Sequence, residues 1–241
     1  MPATKLASTR PAPRQVTLPW RPTLRAVPSR FPPVSLFDRV AHADELEAVA
    51  AIQALTNPRL RAEAGEISLV PPAERVAGPG STPVMAAFTH LNPRGSRFSD
   101  GTWGVYYAAD SLEGAVAEVG YHCARFMAET RQPAIEVDYR VYHADLLQPL
   151  HDLRGPRWAD AHAPDTYAAS AALARALRAA GAWGLLYRSV RHAGGQCVAV
   201  FRPRALKLPV LQGAHVTLCW DGSAIAGWYK KTDHHALAGA G

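Results

Sequence analysis

Eight of the chain's twenty prolines fall in its first 40 residues. Proline fixes φ and removes a backbone donor, so this stretch is excluded from helix and reads as an extended, polyproline-like arm. The same stretch holds Lys5, Arg10, Arg14, Arg21, Arg25, Arg30 and Arg39 against a single acid, Asp38, which accounts for the whole formal charge of +6. The remaining 201 residues carry 19 basic and 19 acidic side chains, so the body that must build the core has no net field. A chain of 241 residues with 48% hydrophobic content fits one domain plus an extension. Its apolar runs stop short of the roughly 18 residues a membrane helix needs. Cys123, Cys197 and Cys219 are odd in number and far apart, so neither a disulfide framework nor a CxxC zinc site can be drawn, which makes a reducing, cytoplasmic setting the expectation. The arm has no apolar h-region or small-residue cleavage site, although an organellar transit peptide would share its composition.

Periodicity divides the rest into a helical segment and loop over 41–83 and a main domain over 84–241. The first segment has Ser35 or Asp44 as a candidate N-cap, apolar positions at Leu46, Val49, Ala50 and Ile52, and a stop at Asn57-Pro58. Strands are expected at 84–88, 103–109, 134–144, 183–190 and 196–203, the last of them the final secure strand. A helix is expected over 112–130, capped by Asp110 or Ser111, with an apolar stripe at Leu112, Ala115, Val116, Val119, Cys123, Phe126 and Met127. A second, alanine-rich helix is expected over 165–180. Strands separated unevenly by helices predict an α+β domain with one mixed or split sheet flanked by helices.

Common nucleotide and hydrolase signatures are absent: no Walker loop, GxSxG elbow, HExxH pair, EF-hand loop or GxGxxG turn. No two of the ten histidines sit at metal-ligand spacing with a carboxylate on a shared helix face, and His234-His235 reads as a solvated tail. No metal is expected. Arg175 and Arg178 read as an ordinary solvated helix face.

The chemistry concentrates in residues 90–122 and 183–201. GSRFSDG places Arg97 in a glycine-bounded turn leading to Tyr106 and Tyr107, and a held guanidinium fork suits pyrophosphate or carboxylate; the plain alternative is a surface arginine. Glu118 lies eleven positions after Tyr107, at the edge of the helix's apolar stripe, where it either solvates or meets a partner across a cleft. His122, one turn on, shares that edge as an orienting group or a bystander. Ser189 ends an apolar run between Arg188 and Arg191, before a close turn at Gly194-Gly195. No His/Asp order surrounds it, so it reads as a hydrogen-bonding group and not as an activated nucleophile.

GSRFSDGTWGVYYAADSLEGAVAEVGYH, followed by GLLYRSVRHAGGQCVAVFRP, resembles the RES-domain family, toxins encoded beside an Xre-type antitoxin with a fold similar to ADP-ribosyltransferases. The upstream blocks FPPVSLFD, TNPRLRAEAG and VMAAFTHLNPRGSRF resemble its longer members. The resemblance makes 84–241 the catalytic domain and Arg97, Glu118 and Ser189 the eponymous trio, with Tyr107 as the accompanying aromatic. It implies NAD as substrate, with Arg97 clamping the pyrophosphate, Tyr107 stacking on the nicotinamide or the oxocarbenium face, and Glu118 stabilising that cation while holding a ribose hydroxyl. Ser189 then bonds the nicotinamide amide or Glu118, and Tyr106 and Arg191 join the ligand-binding set. Where shorter members have a further upstream arginine, this chain offers His90 for the adenosine side. Family members differ in the acceptor: some hydrolyse or phosphorolyse NAD, while others modify a protein such as phosphoribosyl-pyrophosphate synthetase. The long form favours protein ADP-ribosylation. The implied partners are the acceptor protein and an antitoxin that blocks the active site; the reading leaves room for a homodimer, involves no membrane, and meets nucleic acid only through the antitoxin.

Two other classes compete. A nucleic-acid-binding module would use the basic arm and show a steep salt dependence, though Trp20, Phe31 and Phe37 offer little stacking surface. A nucleotide-binding module would use the same cleft without turnover.

Overall fold

A computed structural model describes residues 11–29, 38, 42–46, 48 and 65–232. Residues 11–29 of the arm run without a helix, as the prolines dictate, yet they are part of the body. They supply two strands, β1 (Gln15–Val16) and β2 (Thr23–Pro28). β2 lies inside the sheet, paired antiparallel with β4 (Ile135–Ala144) from Thr23 opposite Ala144 to Pro28 opposite Tyr139, and with β3 (Tyr106–Ala109) through Leu24 and Ala109. The proline is placed at the strand's end, where its missing donor does least harm. A boundary at residue 40 therefore does not divide the sheet from an appendage.

The other strands are β5 (Leu150–Asp152), β6 (Gly184–Arg188), β7 (Gln196–Val200), β8 (Leu211–Trp220) and β9 (Ile225–Lys231). Among the described residues they form one nine-stranded sheet in the order β1-β5-β6-β7-β3-β2-β4-β8-β9, antiparallel at every pairing except β5 with β6. With its helices this is the α+β, mixed-sheet architecture that periodicity predicts.

Helices cover both faces. On one face, α2 (Leu112–Glu129) and α3 (Ala168–Ala179) pack Ala115, Val116, Cys123, Met127, Ala174 and Leu177 against Val141, Leu185, Tyr187, Cys197, Ala199 and Leu218. On the other, α1 (Thr82–Thr89) packs Val84, Met85 and Phe88 against Tyr106, Leu186, Val198 and Val200. Strands buried on both faces need apolar residues at every position, which is why β6 and β7 read as unbroken apolar runs. Each fully buried leucine or valine there contributes about 1.5–3 kcal/mol of transfer free energy. No helix among the described residues is long and apolar enough to cross a membrane.

Several sequence expectations need correction. Residues 84–88 are helical, in α1; a short apolar run does not distinguish strand from helix, and Pro83 in the first turn pre-sets helical φ. Phe126 is 44% exposed and lies outside the buried stripe of α2. The chain continues past residue 203 into β8 and β9. β8 shows a legible alternation, Val216, Leu218 and Trp220 inward, whereas β9 is an exposed edge with little pattern. Residues 43–45 form a single 3-10 turn. Ser35, Val49, Ala50, Ile52, Asn57-Pro58 and His234-His235 lie outside the described residues.

Candidate active site

α2 begins where Ser111, in an extended conformation, accepts the backbone N–H of Gly114 at 3.1 Å, so the sequence-predicted cap is real. Its apolar stripe is drawn onto the sheet, and Glu118, at the edge of that stripe, is left half-buried and facing the end of β6.

Ser189 follows β6 directly. Its N–H donates to the Gly195 carbonyl at 2.9 Å, closing a turn that passes through Gly194 at φ 79°. Its hydroxyl accepts the N–H groups of Arg191 (3.2 Å) and His192 (2.9 Å) and donates to Glu118 Oε1 at 2.6 Å. With both acceptor positions taken, the Ser189 proton has one direction left, toward the carboxylate. Ser189 thus holds Glu118, in keeping with the hydrogen-bonding role and against a nucleophile. A second donor sits beneath: Cys197 Sγ lies 3.8 Å from Glu118 Oε1, and burial together with that carboxylate pushes the thiol pKa up, so it stays protonated.

Tyr107 points to the same face of the sheet. Its hydroxyl accepts the N–H of Phe98 at 2.9 Å and shares a 2.8 Å hydrogen bond with Ser96. Burial raises its pKa to about 12, so the ring is neutral and fixed in orientation. Tyr187 lies between these groups, edge-on to Phe98 at 4.8 Å, and feels Cys197, Glu118, Tyr107 and Arg97 electrostatically.

Arg97 is 8% exposed and is committed to the loop 161–167. Its Nη1 donates to the carbonyls of Ala163 (2.7 Å) and Ala161 (3.3 Å), and its guanidinium stacks on Tyr167 at 4.8 Å. Arg191 grips the same loop from the other side, donating to the Pro164 carbonyl at 2.5 Å, pairing with Asp165 at 3.8 Å and lying 3.4 Å over the Tyr121 ring. The two arginines expected to meet an anionic ligand both hold one loop. His122 has its pKa lowered by burial, against the pull of Glu118 and assisted by Arg191, Arg125 and Arg97.

Two residues of the expected ligand-binding set are not at this site. Tyr106 is fully buried on the opposite face, under the Arg25 guanidinium at 4.8 Å, because neighbouring strand residues alternate faces and Tyr107 takes the site side. His90 caps the end of α1 on that opposite layer, its Nδ1 3.2 Å from the Ala86 carbonyl and from Thr89 Oγ1. Sequence reasoning missed Cys197, Tyr187, Tyr167 and His162. The fold brings the first two together, since Tyr187 and Cys197 stand opposite each other in adjacent strands. His162 is held by Nδ1 donating to the Trp158 carbonyl (3.0 Å) and Nε2 accepting the Arg188 N–H (3.2 Å), a neutral arrangement. Its pKa is lowered mainly by burial, with Arg188 and Arg97 adding to it.

A family model described as the RES domain matches residues 72–221. The uncharacterized protein y4oC of Sinorhizobium fredii is 28% identical over 211 residues, 87% of this chain and 87% of that protein. The crystal structure of the M. tuberculosis MbcT-MbcA toxin-antitoxin complex is similar at 17% identity, covering 54% of this chain and 74% of that one with a TM-score of 0.38.

Proposed function

Because the chain belongs to the RES-domain family, whose model spans residues 72–221, we propose that it is the toxin of a toxin-antitoxin pair that cleaves NAD and transfers ADP-ribose to a protein. The observation that carries this reading is the half-buried Glu118 carboxylate, held by Ser189 at 2.6 Å on the sheet face that presents Tyr107. Cleavage of the bond between ribose C1′ and nicotinamide nitrogen develops positive charge on the ribose, as in glycoside hydrolysis, and a preorganised carboxylate stabilises that charge. Nicotinamide leaves with the bonding pair, a nucleophilic atom of the acceptor bonds to C1′, and the acceptor's proton passes to solvent.

In this reading Ser189 and Cys197 keep Glu118 oriented, and Tyr107, neutral and fixed, offers its ring to the nicotinamide or the ribosyl cation. Arg97 and Arg191 exchange the loop carbonyls they now hold for phosphate oxygens. The setting is cytoplasmic, and an Xre-type antitoxin covers the site. Phosphoribosyl-pyrophosphate synthetase is one acceptor to try.

The test is incubation with NAD labelled in the adenylate half, with and without cell lysate. A labelled protein band is expected. Free ADP-ribose or its phosphate without any band would instead make the protein a glycohydrolase or phosphorylase, and intact NAD in every condition would sink the reading. Glu118→Gln should lower cleavage by about 10²-fold or more. Ser189→Ala, which removes one hydrogen bond to a charged group, should lower kcat by roughly ten- to a hundredfold.

A further inference from the structure

A concavity adjoins Ser189. It encloses about 1240 Å³ and shares Ser189 with the site above, while Glu118, Tyr107 and Arg97 do not line it. Its charged and titratable lining consists of Arg14, Arg154, Arg157 and Arg188, with His162 and Asp152. Four guanidinium groups thus face one carboxylate. That carboxylate is already engaged: Arg154 reaches it through Nε at 2.9 Å and Nη2 at 3.0 Å, and spends Nη1 on Gln196 at 2.7 Å. Arg14 stands off at 3.7 Å with its side chain 79% exposed, and Arg188 is exposed beside Ser189. Cations focused in a concavity with so little countercharge select an anion.

The shape narrows which anion. Small-molecule sites run to about 1,000 Å³, and this cleft is larger. A nucleotide would also want an aromatic face for its base, but Trp158, the aromatic in the wall, is 5% exposed and lies beneath the Arg157 guanidinium at 4.6 Å. Arg157 gives Nη2 to the Pro11 and Ala12 carbonyls at 3.5 and 3.3 Å, so what remains on offer is its other nitrogens and the exposed forks of Arg14 and Arg188, separated along an open trough, which suits successive carboxylates on a peptide chain.

We propose that this cleft docks an acidic segment of the protein that receives the ADP-ribose. The inference rests on the transferase reading above and adds how the acceptor is recognised. A segment seated there lies against Ser189, next to the bond that breaks, so recognition and reaction meet at one residue.

The test uses the full chain and a fluorescent decapeptide of glutamate, with binding followed by anisotropy. Saturable binding is expected, weakened about tenfold or more in the combined variant Arg14→Glu, Arg157→Glu, Arg188→Glu. A charge-matched control, Arg94→Glu, Arg131→Glu, Arg204→Glu, should retain the parent affinity. Equal affinity in the two variants would overturn the proposal. So would a cleft variant that loses ADP or pyrophosphate binding while keeping the peptide, since the cleft would then be a phosphate site. NAD cleavage in water without acceptor is measured separately and should be unchanged in the cleft variant. NAD left intact by the parent chain both with and without cell lysate would remove the transferase reading, whatever the peptide does.

Discussion

What surrounds Glu118 makes it the candidate catalytic group. Ser189 donates to it, Cys197 lies 3.8 Å away as a protonated thiol, and Ser189 is itself oriented by two backbone N–H groups. A hydrogen bond to a charged group contributes about 1.5–3 kcal/mol, enough to hold one rotamer of a half-buried carboxylate. His162 shows the same dependence on surroundings and has a consequence for pH. In the unfolded chain it takes up its proton near the ordinary value of 6.5, whereas the fold, by burying it, holds the pKa lower. As pH falls below about 6.5 the unfolded state binds the additional proton first, so the native state loses stability; above that value His162 is neutral in both states and adds no pH dependence. Urea unfolding of the parent should therefore show lower stability in mildly acidic than in neutral buffer, and His162→Gln should narrow the gap. A gap of undiminished size would assign the effect to another group.

At the scale of elements, the close approach of α1 to the chain entering β3 is set by Gly104. A Cβ at that position would stand 2.3 Å from Phe88 Cα and 2.4 Å from the Ala87 carbonyl oxygen, backbone atoms that cannot rotate away. Gly104→Ala is expected to cost about 1–3 kcal/mol by overpacking, read as a lower thermal midpoint. Gly120, inside α2, meets nothing within 4 Å. Gly120→Ala should raise stability by about 0.5–1 kcal/mol, because there only the entropy of a helical glycine is relieved. An opposite order for the two variants would mean that α1 does not pack on this strand as described. The legibility of the elements follows the same logic. The cap and stripe of α2 and the apolar runs of β6 and β7 are local signals, so they could be read in advance. Residues 84–88 misled because their apolar run fits either period, and β9 escaped because an exposed edge strand carries little alternation.

For the whole molecule, the arm changes meaning. Its charge suggested a nucleic-acid-binding extension, yet Arg25 stacks on Tyr106 and donates to the Tyr107 carbonyl at 3.1 Å, and Arg14 lines the cleft beside Ser189. Deleting residues 1–28 removes a strand from between β3 and β4, so the truncated chain is expected to lose cooperative unfolding in circular dichroism. A truncated protein that unfolds as sharply as the parent would show that β2 is dispensable. Salt-dependent binding lost on such a deletion would accordingly not identify a nucleic-acid site. By itself the sequence determined the α+β class and the position of Glu118 at the edge of a helix stripe, because periodicity is a property of neighbours along the chain, while the grouping of Arg97, Tyr107, Glu118 and Ser189 as one candidate set came from the resemblance to the RES-domain family. The tertiary structure alone decided that Tyr106 and His90 stand on the far face, that Arg97 and Arg191 grip one loop, that Cys197 backs Glu118, and that the arm is a strand. These depend on which residues, distant in sequence, are brought together when both faces of the sheet are buried.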